Sequence, residues 1–403
     1  MADAKKEVVL NLSKKLLFIF LVLYPFGVIV ALNIKFSAFA VSLHPLDLVA
    51  GIFAIFFLLG FFDTPKVYDH IFFFLLSGVI SSLISLSFLP TFEVLLGSLY
   101  LIRFFSYSTV FIVVANLIRT KRLSRVLIFD SLILVSVVVA AFGWIQYFWQ
   151  PDLRFLKFLG WDDHLSRLTG TFLDPTFMGA ILVLGFVAVL TRLLGEKGDR
   201  YKLILAIIIL AVTVAFTYSR SSYLALVVGA IFTLLTHRKR IFTKIAFGIS
   251  VFLLLILFLP RPSSEGVKLE RTFSIFAKVQ NYKETFNIFA TSPLLGIGFN
   301  NICSLRLRLF GDNFASHSCY GSDSSLLLIL ATTGVIGFLL FINLLMQIYR
   351  NLNEGIYASV LISSFLAILV HSLFANSLFY PWIMAWLFIL LGVAYGGSFR
   401  VRK

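Results

Sequence analysis

Long apolar stretches alternate with short polar breaks along almost the whole chain. A run of roughly 20 apolar residues forms a helix long enough to cross the ~30 Å hydrocarbon core of a bilayer. Charged and turn-forming residues delimit twelve such runs. We therefore predict twelve spans, at about 16–34, 45–62, 71–89, 92–116, 126–149, 172–194, 202–218, 221–236, 241–259, 323–348, 356–375 and 379–397.

The break between the ninth and tenth predicted spans, residues 260–322, is much longer than the others. Five residues within it recur at the three-to-four spacing of an amphipathic helix: Phe276, Val279, Tyr282, Phe286 and Phe289. This pattern is compatible with two arrangements: a helix that lies on a membrane surface, or one that packs its apolar face within the loop. We expect an interfacial helix here.

The composition agrees with a membrane protein. Hydrophobic residues make up 60% of the chain and charged residues only 13%, whereas soluble domains average about 25% charged residues. The first apolar run is long enough to span and is not followed by a small-residue cleavage pattern, so we interpret it as a retained helix. The predicted fold class is an all-α, polytopic integral membrane protein, with residues 1–403 forming a single transmembrane domain.

Lysine and arginine residues collect in alternate breaks and at both termini, which twelve spans place on one side of the membrane. Short cytoplasmic loops carry this excess, so we expect both termini in the cytoplasm. The loops at 151–170 and 260–322 then face outward. Spans seven and eight are separated only by residues 218–221, and merging them would move the basic segment 237–244 outside, against the same rule. The net charge of +15 therefore reflects topology and does not indicate nucleic-acid binding.

Several common catalytic motifs are missing from the sequence. It contains no glycine-rich phosphate loop ending in Lys-Ser or Lys-Thr, no His-Glu-x-x-His and no Cys-x-x-Cys pair. We therefore expect neither an ATP-driven pump nor a metalloenzyme, and no cofactor.

Three predicted outward elements combine cationic residues with small hydroxyl or glycine residues. Residues 167–172 read Arg-Leu-Thr-Gly-Thr-Phe, and residues 219–222 read Ser-Arg-Ser-Ser. In the long loop, residues 293–298 read Pro-Leu-Leu-Gly-Ile-Gly, and the span that follows carries Gly-Val-Ile-Gly at 334–337. Guanidinium groups bind phosphate oxygens in a bidentate manner, and a helix N-terminus adds backbone donors. The pattern predicts a pyrophosphate site.

In these motifs and their order, residues 160–350 resemble the O-antigen ligase and polymerase superfamily of bacterial membrane glycosyltransferases. The resemblance implies transfer of a glycan from an undecaprenyl-pyrophosphate carrier to an acceptor hydroxyl, at the outer face of the bacterial inner membrane, without nucleotide or metal. The implied partners are this lipid-linked donor, a glycan acceptor, the bilayer and a chain-length regulator protein.

Two departures from the family pattern bear on the reaction. The ligases carry a His-Asn or similar pair eleven residues before the glycine that corresponds to Gly334, and this chain has Asp323 and Ser324 there. Aspartate is commoner in the polymerase branch, so the resemblance favours a polymerase of lipid-linked repeat units. A ligase that moves finished glycan onto lipid A core is the nearest alternative, and a lipid-linked oligosaccharide flippase is the alternative from another class. The second departure is Lys278, which stands where an arginine is usual four residues before Tyr282.

The resemblance and the charge chemistry together assign roles to the residues. Arg220 is the expected main cation for the leaving pyrophosphate, assisted by Arg167 and by either Lys278 or Arg271. An arginine at a span end is also a common interface anchor, and this alternative stays open for each arginine.

The acceptor side of the predicted site rests on Asp323. As a carboxylate at the membrane boundary it would orient the acceptor hydroxyl or accept its proton. The same residue is well suited to be the N-cap of the tenth span, and the two roles are compatible. His317, six residues earlier, is the other catalytic candidate and is equally interpretable as a loop histidine.

Arg103 lies near the middle of the fourth predicted span, where insertion of an arginine costs at least ~2.5 kcal/mol. It should therefore face protein or water and have a partner, and Glu93 and Asp130 are candidates. A contact with carrier phosphate is the alternative.

Four further residues are noted for the outer side. His371 and Asn376 either line an acceptor path or are packing residues. Cys303 and Cys319 are the only cysteines, and both lie in the long outer loop. In an oxidising compartment they would form a disulfide, and otherwise they would be free thiols.

Overall fold

A computed structural model describes residues 2–36, 39–159, 163–195, 199–237, 242–261, 265–268, 270, 272–311 and 321–397. These residues form a predominantly helical protein with one two-stranded antiparallel hairpin, β1 (Leu32–Phe36) and β2 (Phe39–Leu43). The helices are α1 (Ala2–Leu23), α2 (Pro45–Leu58), α3 (Tyr68–Ser85), α4 (Thr91–Arg119), α5 (Arg125–Trp149), α6 (Pro175–Gly195), α7 (Arg200–Phe216), α8 (Arg220–His237), α9 (Phe242–Leu257), α10 (Phe273–Thr291), α11 (Ile302–Phe310), α12 (Ser325–Arg350), α13 (Ile356–His371) and α14 (Pro381–Tyr395).

Twelve of the described helices, α1 to α9 and α12 to α14, overlap the twelve predicted spans. Six of the described helices are long and apolar enough to cross a bilayer, and five shorter apolar helices accompany them. The protein is thus a multi-pass, mainly α-helical membrane protein, and the count of twelve crossings stays a prediction.

The core of the bundle is formed by α4 and α6. The second half of α4 is almost fully buried against α2 and α14, and α6 is enclosed by α5, α7, α8 and α13. Large apolar side chains on the outer helices remain exposed, for example Ile208 on α7 and Leu254 on α9. In a bilayer, lipid covers such side chains.

The first predicted span, 16–34, is misplaced. Helix α1 covers Ala2–Leu23, and a short 3₁₀ turn at Tyr24–Phe26 follows it. Gly27 then adopts φ 57°, and a Cβ atom there would lie 2.4 Å from the Thr171 carbonyl oxygen. The chain therefore leaves the helix at this close contact and continues into the hairpin. The all-α prediction missed this hairpin.

The buried partner of Arg103 is Asp47, not Glu93 or Asp130. An Arg103 guanidinium nitrogen lies 2.9 Å from Asp47 Oδ2, and the guanidinium also donates to the backbone carbonyl of Ser42. Asp47 Oδ2 additionally accepts the backbone N–H of His44 at the start of α2, at 2.8 Å. Arg103 therefore joins the end of the hairpin and α2 to α4.

Replacing Arg103 with leucine is expected to destabilise the protein by about 3–5 kcal/mol, because it leaves the Asp47 carboxylate buried without its cation. Adding Asp47→Asn should restore part of this loss, because the amide keeps an acceptor for His44 and carries no charge. Thermal unfolding of the detergent-solubilised protein would measure both variants. Equal melting temperatures for wild type and Arg103→Leu would show that the ion pair is not structural.

Helix α12 is interrupted at Gly334, which adopts φ 66° and ψ −172°. Residues 293–298 of the long loop supply hydrogen bonds at this break. The carbonyl of Ala331 accepts from Ile297 N at 3.0 Å, and Val335 N donates to the carbonyl of Pro293 at 2.9 Å. Backbone groups freed inside a membrane protein require such partners. The Pro-x-x-Gly-x-Gly and Gly-x-x-Gly motifs are therefore parts of one structural unit.

Gly334→Ala is expected to destabilise the protein strongly. Its Cβ atom would lie 2.2 Å from the Leu294 carbonyl oxygen, and the backbone conformation alone costs about 1–3 kcal/mol for a residue other than glycine. Gly248→Ala is the matched control, because no atom lies within 4 Å of the added Cβ on α9. The prediction fails if both variants have the melting temperature and yield of the wild type.

Candidate functional site

The turn between α7 and α8 presents Arg220 at the start of α8. Tyr218 adopts the left-handed conformation (φ 52°), and Ser219 Oγ accepts from Ser222 N at 3.4 Å, so the turn leads directly into the helix. The half-buried Arg220 side chain extends to α10 and donates to Ser274 Oγ at 2.8 Å. A guanidinium at a helix N-terminus creates a local positive potential suited to an anion.

Arg167 supports this turn from behind. Its side chain is buried, with 8% exposed, and its Nε donates to the Thr217 carbonyl at 3.0 Å. A second guanidinium nitrogen lies 3.4 Å from the Tyr218 carbonyl. These contacts fix the backbone on which Arg220 stands. The predicted contact of Arg167 with pyrophosphate stays a prediction.

A polar stripe runs along one face of α10. It comprises Ser274, Lys278, Asn281 and Thr285, at helical spacing, and Tyr282 lies beside it. The Lys278 ammonium donates to the Phe374 carbonyl at 2.5 Å, and the Tyr282 hydroxyl donates to the Leu373 carbonyl. The stripe therefore faces the end of α13.

The opposite side of α10 is apolar and exposed. Phe276 is 71% exposed, Val279 43% and Phe286 55%. This distribution agrees with the predicted amphipathic helix, because such a face lies at an interface with lipid when a membrane surrounds the bundle. Tyr282, which the apolar pattern included, lies on the polar side instead.

Asp323 lies beside this stripe, at the entrance to α12. Its backbone N–H donates to Asn281 Oδ1 at 2.8 Å, and its carboxylate Oδ1 lies 3.8 Å from the Lys278 ammonium. The N-cap of α12 is Ser324, whose hydroxyl accepts from Leu327 N at 3.4 Å. The N-cap role considered for Asp323 therefore belongs to Ser324. The carboxylate of Asp323, with 40% of its side chain exposed, stays accessible.

Tyr282 contributes a hydroxyl donor to this region. Burial raises the pKa of Tyr282 to about 12, and the negative charge of Asp323 acts in the same direction. The phenol is therefore protonated at neutral pH and cannot act as a base there. Asp323 is an acidic side chain that contacts the stripe.

Helix α11 supports the segment that carries Asp323. The Arg306 side chain, 1% exposed, donates to the Gly321 carbonyl at 2.8 Å and lies 3.4 Å from Glu284 Oε2 on α10. A second bond on this segment joins Thr285 Oγ1 and Ser322 Oγ at 3.2 Å. Arg306 was not predicted to have a role. Its burial, which the sequence could not reveal, distinguishes it from the other cations of the loop that the structure describes.

His371 at the end of α13 lies beneath the Arg220 turn. Its Nε2 is 3.2 Å from Ser221 Oγ and 3.3 Å from Ser222 Oγ, and its Nδ1 is 2.6 Å from Ser377 Oγ. The imidazole is completely buried. It therefore connects α8, α13 and the segment before α14, which agrees with the packing interpretation.

The structure describes only some of the remaining residues that the sequence singled out. Asn376 Oδ1 accepts from Ser325 Oγ at 3.2 Å, next to Asp323. Cys303 on α11 is disulfide-bonded. His317, Arg271 and Cys319 lie outside the described residues, so their predicted roles stay predictions. Within the described part of the chain, no group of three or more His, Cys, Asp or Glu residues could hold a metal ion.

The motifs that were separate in the sequence thus meet at one end of the bundle. Arg167 holds the turn, the turn presents Arg220, and α10 connects Arg220 through Ser274 and Lys278 to Asp323. Ser274 and Asn281 were not predicted as site residues, although their spacing with Lys278 and Thr285 is the helical periodicity of a polar face.

Residues 205–342 match the O-antigen ligase family model. The match supports membership of the O-antigen ligase/polymerase superfamily, which is the family that the motifs indicated. It includes Arg220, Lys278, Asp323 and Gly334, and it supports a glycosyltransferase-like membrane enzyme of polysaccharide biosynthesis. No curated protein matches the chain.

Proposed function

We propose that the protein is a polymerase that joins undecaprenyl-pyrophosphate-linked oligosaccharide repeat units into a surface polysaccharide such as O-antigen. The observation that carries this proposal is the placement of Arg220, Lys278 and Asp323 along one polar face of α10. Transfer from a lipid pyrophosphate needs cations that stabilise the leaving group and a group that orients the acceptor hydroxyl, and these three side chains can supply both. The proposed site faces the outside of the bacterial inner membrane, with both termini in the cytoplasm.

In the proposed reaction, the oxygen of the acceptor hydroxyl forms a bond with the anomeric carbon of the donor sugar. The bond between that carbon and the phosphate oxygen breaks, and the polyprenyl pyrophosphate leaves with the electron pair. Asp323 orients the hydroxyl and accepts its proton. Arg220, with Lys278, stabilises the negative charge that develops on the leaving pyrophosphate. Because these cations supply that stabilisation, the proposed reaction requires neither a nucleotide nor a metal ion.

A ligase is the second candidate, because the matched family model is described as O-antigen ligase. Asp323 and Ser324 at the position of the ligase His-Asn pair favour the polymerase. A flippase would need cations within the membrane spans to bind the pyrophosphate. Arg103, the clearest cation within a span, is already paired with Asp47. This pairing makes the flippase less favoured.

The deciding experiment supplies the purified full chain in nanodiscs with one lipid-linked repeat unit and separates the products on a gel. The polymerase proposal predicts a ladder of chain lengths. Adding lipid A core as a second acceptor tests the ligase, which would give product only on that acceptor. Unchanged substrate in both reactions, together with movement of the lipid-linked unit across liposomes, would refute both enzymes and support the flippase.

A further inference from the structure

An open cavity of about 520 Å³ lies at the surface of the loop that follows α5, and none of its lining residues belongs to the polar stripe of α10. Its wall contains Gln150, two phenylalanines (Phe155 and Phe158), and the charged residues Asp152, Arg154, Lys157 and Asp163. Small-molecule sites in proteins have volumes of roughly 300–1,000 Å³, so the cavity is large enough for a ligand. None of these residues takes part in the proposed transfer reaction.

The charges of the cavity are arranged in two pairs of opposite sign. The guanidinium of Arg154 binds Asp152 through two nitrogens, at 2.9 and 2.7 Å, and Lys157 lies 2.8 Å from Asp163. The hydrogen bond from Arg154 lowers the pKa of Asp152 to about 2, so this carboxylate is ionised at physiological pH. Two acids and two bases leave no excess charge to attract a phosphate or an anionic lipid headgroup. They offer hydrogen-bond donors and acceptors instead.

The apolar part of the cavity is aromatic and open. Phe158 is 94% exposed and Phe155 is 54% exposed. Flat apolar surface beside paired donors and acceptors suits a sugar, whose C–H face packs on a ring while its hydroxyls both donate and accept hydrogen bonds. A lipid chain would use the rings and leave the paired charges without a function.

The cavity is coupled to the Arg220 turn through the backbone. Leu153 N donates to the His164 carbonyl at 2.8 Å, and Ser166 N donates to the Pro151 carbonyl at 2.8 Å. These two bonds join residues 151–153 to residues 164–166. Residue 166 is followed directly by Arg167, which donates to the Thr217 carbonyl in the turn that carries Arg220. The cavity therefore has a short, hydrogen-bonded connection to the proposed site of transfer.

We propose that this cavity is a subsite for an uncharged part of the oligosaccharide, away from the reacting bond. The proposal rests on the proposed function for the identity of the glycan. Binding at a second point on the same glycan would hold a growing chain between successive additions, so the subsite would favour long products.

The test measures binding and does not depend on catalysis. The probe is the neutral oligosaccharide released from the lipid-linked repeat unit, titrated against the full chain in nanodiscs. Phe158→Ala is expected to weaken binding by about tenfold, equivalent to about 1.4 kcal/mol. Asp152→Asn, which breaks the pair with Arg154, should also weaken it. Phe258→Ala, at another aromatic residue with 84% exposure, is the control and should bind as the wild type does.

Unchanged binding in both Phe158→Ala and Asp152→Asn would overturn the subsite, and so would a change confined to the association of anionic lipid with the protein. Loss of oligosaccharide binding in these variants supports it even if the protein makes no ladder, in which case only the proposed polymerase activity fails. If the ladder forms, the same variants should shorten it while one-step addition of a single repeat unit continues at the wild-type rate.

Discussion

Replacing Arg220 with alanine should reduce the rate of repeat-unit transfer by about 10²- to 10³-fold, the usual effect of removing one group that stabilises transition-state charge. Arg220 is the first residue of α8, and its guanidinium donates to Ser274 on α10. It therefore has a fixed direction, and the helix N-terminus adds to its positive potential. Arg220→Lys should retain part of the activity, because an ammonium keeps the charge but loses the bidentate geometry.

Two further variants make this prediction specific. Ser274→Ala removes the hydroxyl that holds the guanidinium. We expect the rate to fall by about 10- to 100-fold, because a hydrogen bond to a charged group contributes about 1.5–3 kcal/mol. Arg308→Ala is the matched control. Arg308 is an exposed arginine on α11, in the long loop that also carries Ser274, and it donates to the Phe88 carbonyl at 2.9 Å. Steady-state consumption of lipid-linked repeat unit gives the rates, at equal amounts of folded protein. Full activity in Arg220→Ala would remove the main cation from the mechanism.

The positions of the helices were largely predictable, because an apolar run of about 20 residues has few structures open to it in a membrane. The first span, however, was predicted too far along the chain, at 16–34 instead of Ala2–Leu23. The apolar residues at 28–34 extend the run in sequence, but pairing of β1 with β2 and the close contact of Gly27 with Thr171 remove them from the helix. Alternation of Leu32, Asn33, Ile34 and Lys35 was a local signal for the strand, and the longer apolar pattern obscured it.

Individual residues of the candidate site were predictable in part, but their arrangement was not. The motifs identified Arg167, Arg220 and Asp323, whereas their connection depends on where α10 packs. Helical periodicity indicated the exposed apolar face of α10, and it could not show that the opposite face meets the end of α13 and the entrance to α12. Arg103 illustrates the same limit: the cost of burial required a partner, but only the tertiary structure identified Asp47.

Replacing Asp323 with asparagine should lower the catalytic rate by about 10²- to 10⁴-fold, the typical contribution of a general base. Asparagine has nearly the same shape, and its backbone N–H can still donate to Asn281 Oδ1, so the entrance to α12 should keep its structure. The effect should fall mainly on kcat, because the proton is transferred in the reaction step. Lys278 lies 3.8 Å from the carboxylate, so loss of this charge also leaves more positive charge beside the leaving pyrophosphate, which should tighten donor binding and lower KM.

Asp199→Asn is the matched control. It makes the same carboxylate-to-amide change at the start of α7, where asparagine is an equally good N-cap. Its transfer rate should equal that of the wild type. Asp323→Glu should recover activity partially, because the base is retained but displaced by one methylene group. Wild-type kcat in Asp323→Asn would exclude proton transfer to this carboxylate, whereas a raised KM with unchanged kcat would reassign Asp323 to binding of the acceptor. Because Ser324 and not Asp323 caps α12, loss of the cap cannot account for a fall in kcat, and such a fall would therefore report on the reaction itself.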